Sequence, residues 1–132
     1  TETPDGQAPA VDWKLALQAT QGDHALLREV ADICATELPA LRQRLGDALR
    51  SGDAPTATRL AHTIKGNLRT FGGCGIEIAE RLEQMTRSGD VGSDAVALFA
   101  TLQRDLARVE QALTAHLLSP AAEMSASEDS SG

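Results

Sequence analysis

Aromatic residues are scarce in this sequence: of 132 residues, one is Trp, two are Phe and none is Tyr. Sheet proteins favour aromatic and β-branched residues in alternation with polar ones, and no such alternation runs through the chain. Ala, Leu, Glu, Gln and Arg dominate, and all are good helix formers. Cysteine is limited to Cys34 and Cys74, each among apolar or small neighbours. Their spacing asks for no disulfide, and two buried thiols in a reducing compartment are expected. An excess of positive charge is also missing. Twelve Lys and Arg face 19 Asp and Glu, a formal net charge of -7. That balance argues against general nucleic-acid binding, which needs a cationic surface to neutralise phosphates, but it leaves room for a local basic patch. No apolar run reaches the ~20 residues needed to cross a bilayer, and no signal-peptide pattern opens the sequence. Direct membrane contact is therefore not expected.

The length suits one domain with a self-sufficient core. Pro4, Gly6 and Pro9 mark residues 1–10 as a linker. The stretch SPAAEMSASEDSSG, residues 119–132, has almost nothing to bury and is expected to be disordered. Between them, residues 11–118 are divided by Gly-centred breaks: QGD at 21–23, SGD at 51–53, FGGCG at 71–75 and SGD at 88–90. These breaks predict five helices. The first is short, 11–20, with Trp13 and Leu17. The second, 23–50, carries an apolar stripe from Leu26 through Ile33 to Leu49. Pro39 should kink this helix without dividing it. The third, 54–71, has Asp53 as N-cap and Pro55 in its first turn. The fourth, 75–88, turns Ile78, Leu82 and Met85 inward. The fifth, 94–118, has Ser93 as its cap and apolar residues from Ala95 to Leu113 at steps of three and four. Short connections make neighbours antiparallel. The predicted architecture is all-α: an up-and-down antiparallel four-helix bundle, with the short first helix covering one end.

The third helix carries the chemistry. Ala57, Leu60, Ile64, Leu68 and Phe71 share one side. At about 100° per residue, His62 points about 150° from the middle of that stripe. It should face water with Thr58, Lys65, Gly66 and Arg69 as neighbours. An exposed imidazole, largely neutral near physiological pH, can act as a nucleophile toward phosphorus. Lys65 and Arg69 can supply positive charge to a transferring phosphoryl group. Gly66, one turn after His62, lies beside it on the surface. A mid-helix glycine costs about 1 kcal/mol relative to alanine, and the missing side chain clears space for a phosphoryl group and an approaching partner. From these residues alone, an ordinary surface histidine is the commoner outcome.

The segment AHTIKGNLRTFGG, residues 61–73, resembles the signature of histidine phosphotransfer (HPt) domains. Its matching positions are His62, Ile64, Lys65, Gly66, Gly72 and Gly73. The surrounding segments LQATQGDHALLREV, LRSGD and RLEQMTRSGD are similar to the family's pattern over about 100 residues. The resemblance implies a monomeric bundle without kinase activity of its own and without a cofactor. It implies that His62 is the phosphoacceptor, relaying a phosphoryl group between aspartates of receiver domains in two-component signalling. Lys65 is then the electrostatic helper and Gly66 the residue that gives access. Gln84 matches a position from which some members hydrogen-bond toward the imidazole. Arg69 has no fixed family role, and Asn67 departs from the small residue common after the glycine. The resemblance also implies a cytoplasmic location, either free-standing or within a membrane-anchored hybrid sensor kinase.

Other candidates are plainer. His24 and His116 lie far from His62 in sequence, with too few other ligands nominated for a metal site. Glu77, Glu80, Glu83 and Glu110 read as solvated surface. The glycines at 72–75 lack the following Lys-Ser/Thr of a phosphate loop and read as a helix junction. Two rival functions are a docking bundle without chemistry and the dimerisation and phosphoacceptor domain of a sensor kinase. The latter usually contributes two long helices per chain, whereas this sequence supplies four.

Overall fold

The computed structural model describes residues 10–118. The linker at 1–10, save its last residue, and the tail at 119–132 lie outside the described residues. Five helices follow in order: α1 (Trp13–Ala19), α2 (His24–Arg50), α3 (Ala54–Thr70), α4 (Ile76–Arg87) and α5 (Ser93–Leu118). No strand occurs among the described residues. Helices α2, α3, α4 and α5 pack in a ring, each against its neighbours in the chain, with α5 closing back onto α2. The bundle and its short additional helix are as the sequence predicts.

Local chemistry sets the helix ends. Asp23 and Asp53 cap α2 and α3, accepting from the backbone N–H of Leu26 and Thr56 at 3.1 and 3.2 Å. Capping satisfies amides that otherwise have no partner in the first turn. The bond with Thr56 holds the Asp53 carboxyl below the usual carboxylate range. Pro55 stands in the first turn of α3, and α2 continues through Pro39 as one helix. Ser93 is the first helical residue of α5, not the residue before it; the Val96 amide bonds to the carbonyl of Gly92.

The core is mainly aliphatic. Leu38, Leu45, Ile64, Leu68, Leu82, Leu102, Leu106 and Leu113 are fully buried, with Phe71 the largest side chain among them. Ile33 and Leu26 depart from the expected inward stripe of α2 and are exposed. Glu110 departs in the opposite sense. It is largely covered, and both its oxygens accept from Arg42 at 3.1 Å, fastening α5 to α2. Such a two-bond pairing exploits the planar fork of arginine.

The junction between α3 and α4 also holds the N-terminal segment. The amide of Asp12 donates to the carbonyl of Phe71 at 2.8 Å, and the amide of Cys74 donates to the carbonyl of Ala10 at 3.1 Å. Gly72 turns here with φ +53°, and a Cβ on it would lie 2.7 Å from Leu15 and 2.9 Å from Asp12. Both backbone conformation and space therefore require glycine at this point. Trp13 then packs edge-on to Phe71 and stacks on His116, with ring centroids 5.9 and 4.1 Å apart. Thus α1 closes the end of the bundle where α3 and α5 finish.

Candidate functional site

Helix α3 presents His62 to solvent, with its side chain 67% exposed. The helix is long enough to hold it mid-span, and α4 packs closely along that side. Thr58, one turn before His62, donates to Thr86 of α4 at 2.9 Å, which ties the two helices together beside the site.

The partner of the imidazole is Glu83. Its Oε2 lies 3.0 Å from Nδ1 of His62, its Oε1 lies 2.7 Å from Nζ of Lys65, and Arg87 donates to Oε2 at 2.6 Å. One carboxylate on α4 therefore meets three basic side chains. Glu83 itself is buried, with its side chain 4% exposed, and this overturns its reading as solvated surface. Gln84, the sequence-based candidate for the imidazole bond, is the next residue along and points outward. Helical geometry explains the difference. Ala79, Leu82, Glu83 and Thr86 make up the buried face of α4, at spacings of three and four, and Gln84 falls off that face.

Lys65 is likewise buried rather than solvent-facing, and its ammonium is paired with Glu83. It belongs with Ala57, Leu60, Ala61, Ile64 and Leu68 on the inner side of α3. Two opposite charges thus occupy inner-face positions on adjacent helices and meet. Burial pushes the Glu83 carboxyl up, but the bonds from Lys65 and His62 outweigh it and hold the group below the usual range. Glu83 is therefore an ionised acceptor at neutral pH. An ionised carboxylate can only accept, so Nδ1 of His62 must carry the ring proton. The lone pair is left on Nε2, the other ring nitrogen.

The remaining candidates are arranged around this centre. A Cβ built on Gly66 would meet nothing within 4 Å, so the surface beside His62 is open. Arg69 is exposed and lies 3.8 Å from Glu80, too far for a strong bond. Arg59, one turn before His62, and Arg87, on the facing helix, are both exposed. Sequence reasoning assigned Glu83 to solvated surface and gave Arg87 no role. The available signal was the 79–82–83–86 spacing, which places a carboxylate within an otherwise apolar or small face. His24 and His116 stand apart from this cluster. His116 is stacked on Trp13 at the far end of α5.

Comparison with known proteins gives consistent results. The chain resembles the solved structure of histidine-containing phosphotransfer protein B from Pseudomonas aeruginosa PAO1, with a TM-score of 0.72 and 23% identity over 84% of this chain and 96% of that one. It also resembles the HPT domain of the Hpt sensor hybrid histidine kinase from Shewanella, with a TM-score of 0.73 and 21% identity over 82% of this chain and 93% of that one. At these identities the two structures establish the fold alone. No curated protein matches the chain. The Hpt domain family matches residues 29–112, which include α3, α4 and most of α2 and α5. The chain belongs to the Hpt domain family.

Proposed function

We propose that this protein is a phosphorelay carrier that accepts a phosphoryl group on Nε2 of His62 from a receiver-domain aspartate and passes it to another. The observation that carries this reading is the held ring: Nδ1 is 3.0 Å from a buried carboxylate, while the side chain is largely exposed. Nδ1 is occupied as a donor, and Nε2 is left as the nucleophile. Attack by the Nε2 lone pair forms the N–P bond. The bond from phosphorus to the aspartyl oxygen breaks, and its electron pair leaves on the carboxylate. Transfer onward is the reverse step toward a second aspartate.

Such a reaction depends on positioning and on stabilising charge over the phosphoryl oxygens. Gly66 provides the approach, since nothing occupies the space above it. Lys65 acts through Glu83, with which its ammonium is paired. Arg87 and, further out, Arg69 are the exposed cations for the phosphoryl group. Arg59, Arg69 and Arg87 are exposed cations on the two helices that carry the site, on a chain of net charge -7, a composition suited to acidic receiver domains. The receiver supplies the aspartate chemistry, so the chain works as a monomer without a cofactor or ATP. A cytoplasmic location accords with this reading and with the two free thiols.

The test is direct. Incubate the chain with a phosphorylated receiver and map the acid-labile phosphate by mass spectrometry at neutral pH. Label is expected on His62 and absent from His62→Ala. Label on His24 or His116, or undiminished label in the variant, overturns the reading.

A further inference from the structure

We infer that Glu83 is a positioning residue that keeps the Nδ1 proton on the His62 ring throughout phosphoryl transfer, and that Arg87 limits this hold by sharing the same carboxylate oxygen. The inference rests on His62 as the phosphoacceptor. Its physical basis is the identity of the group beneath the ring. A neutral amide could orient the imidazole by accepting from Nδ1–H, but a buried carboxylate also changes the charge balance of the phosphorylated ring.

With phosphorus on Nε2 and a proton on Nδ1, the ring is a cation. If Nδ1 lost its proton, the ring would turn a lone pair toward Glu83 Oε2 from 3.0 Å. The carboxylate opposes that loss. Retention matters for the onward step. When a receiver carboxylate attacks phosphorus, the N–P bond breaks and its electron pair returns to Nε2. If Nδ1 still carries its proton, the leaving group is neutral imidazole. Otherwise it is imidazolate, a far poorer leaving group. With the proton held, the ring neither gains nor loses one in either direction.

The charged groups around the ring come from two helices. Lys65 on α3 is paired with Oε1 and Arg87 on α4 with Oε2, and the exposed Arg59 stands one turn before His62. Arg87, at 2.6 Å from Oε2, draws on the same lone pairs as Nδ1. Arg87 therefore acts opposite to Glu83: it weakens proton retention on the phosphorylated ring.

The experiment uses the full chain, phosphorylated with phosphoramidate. Proton–nitrogen NMR then follows both ring nitrogens of phospho-His62 from neutral to alkaline pH. Glu83→Gln keeps a hydrogen-bond acceptor but removes the charge. It should lose the Nδ1 proton about one pH unit earlier than the parent, the lower end of the effect of a close opposite charge. Arg87→Ala should hold the proton to higher pH than the parent. Transfer from each form to a receiver should fall along the same curve. Coincident curves for the parent and Glu83→Gln, or shifts of both variants in one direction, overturn the inference. If Glu83→Gln does not fold, the exposed Arg87 variant decides: an unchanged or lowered curve overturns it. Failure of His62 to accept phosphate at all would instead sink the phosphoacceptor reading.

Discussion

At residue scale, Glu83 and His116 give the fold a directed response to acid. Burial raises the Glu83 carboxyl, but its bonds to Lys65 and His62 carry it below its ordinary value of 4.5. A group depressed in the folded state stabilises the fold above its unfolded value, and that contribution is lost as pH falls through the folded value. Burial, and then the charges of Arg28 and His24, push His116 below its ordinary value of 6.5. The sign is the same, but the window is higher: the fold prefers the neutral ring, so stability starts to decline as pH drops below 6.5. The thermal unfolding midpoint should therefore fall in two stages, one beginning below 6.5 and another below 4.5. His116→Phe retains a ring to stack on Trp13 and should abolish the first stage while leaving the second. A first stage unchanged in that variant would show that another group causes it. The outward direction of His62 was legible from the stripe opposite it. The burial of Lys65 and Glu83 was not, because the Lys65 ammonium is tolerable inside only beside Glu83, and Glu83 only beside basic groups drawn from both helices. A single helix read in isolation assigns both to water.

At the scale of elements, the Gly-centred breaks and the apolar spacing define five helices to within a residue or two of the observed ends. Asp53 and Pro55 start α3 where their local chemistry requires. The exposure of Ile33 and the pairing of Glu110 escaped the sequence because each depends on how neighbouring helices roll against one another, which periodicity leaves open. Two mid-helix glycines make the same point. A Cβ on Gly66 meets open space, whereas one on Gly46 would come within 3.1 and 3.2 Å of the Phe99 ring. Both Ala variants gain about 1 kcal/mol of helix propensity, but Gly46→Ala must displace a packed ring between α2 and α5. Gly66→Ala should raise the denaturation midpoint, and Gly46→Ala should fall short of it. Equal gains would mean that Phe99 yields freely. Gly66→Gln should fold as well, yet transfer phosphate far more slowly, since a misplacement of ~1 Å can cost about a hundredfold. Parent-like transfer by folded Gly66→Gln would refute the access role.

At the scale of the molecule, the bundle closes on itself within one chain, with α5 packed back along α2. A domain that needed a second copy to complete its four helices would leave a long apolar face unpaired. Here the inner faces of α2 to α5 form a single core. The solution mass should therefore be that of one chain at micromolar concentrations. Purified protein given ATP and Mg²⁺ should also stay unlabelled until a receiver is added. An obligate dimer, or stoichiometric labelling by ATP alone with contaminating kinases excluded, would favour the rival sensor-kinase reading.

The union of Lys65 with Glu83 has a consequence for descent. Loss of Glu83 leaves Lys65 as a stranded ion in the interior, a defect worth about 3–5 kcal/mol and comparable to much of a small domain's whole stability, whereas loss of Lys65 leaves Glu83 still paired with Arg87 and His62. Replacing both with well-fitted apolar residues could leave a sound bundle, since such exchanges are often neutral or favourable. The passage between those two sequences, however, crosses an intermediate that folds badly if Glu83 is the first to go. A lineage can thus drift freely at the exposed Gln84 or Glu77, yet Glu83 can be given up only after Lys65.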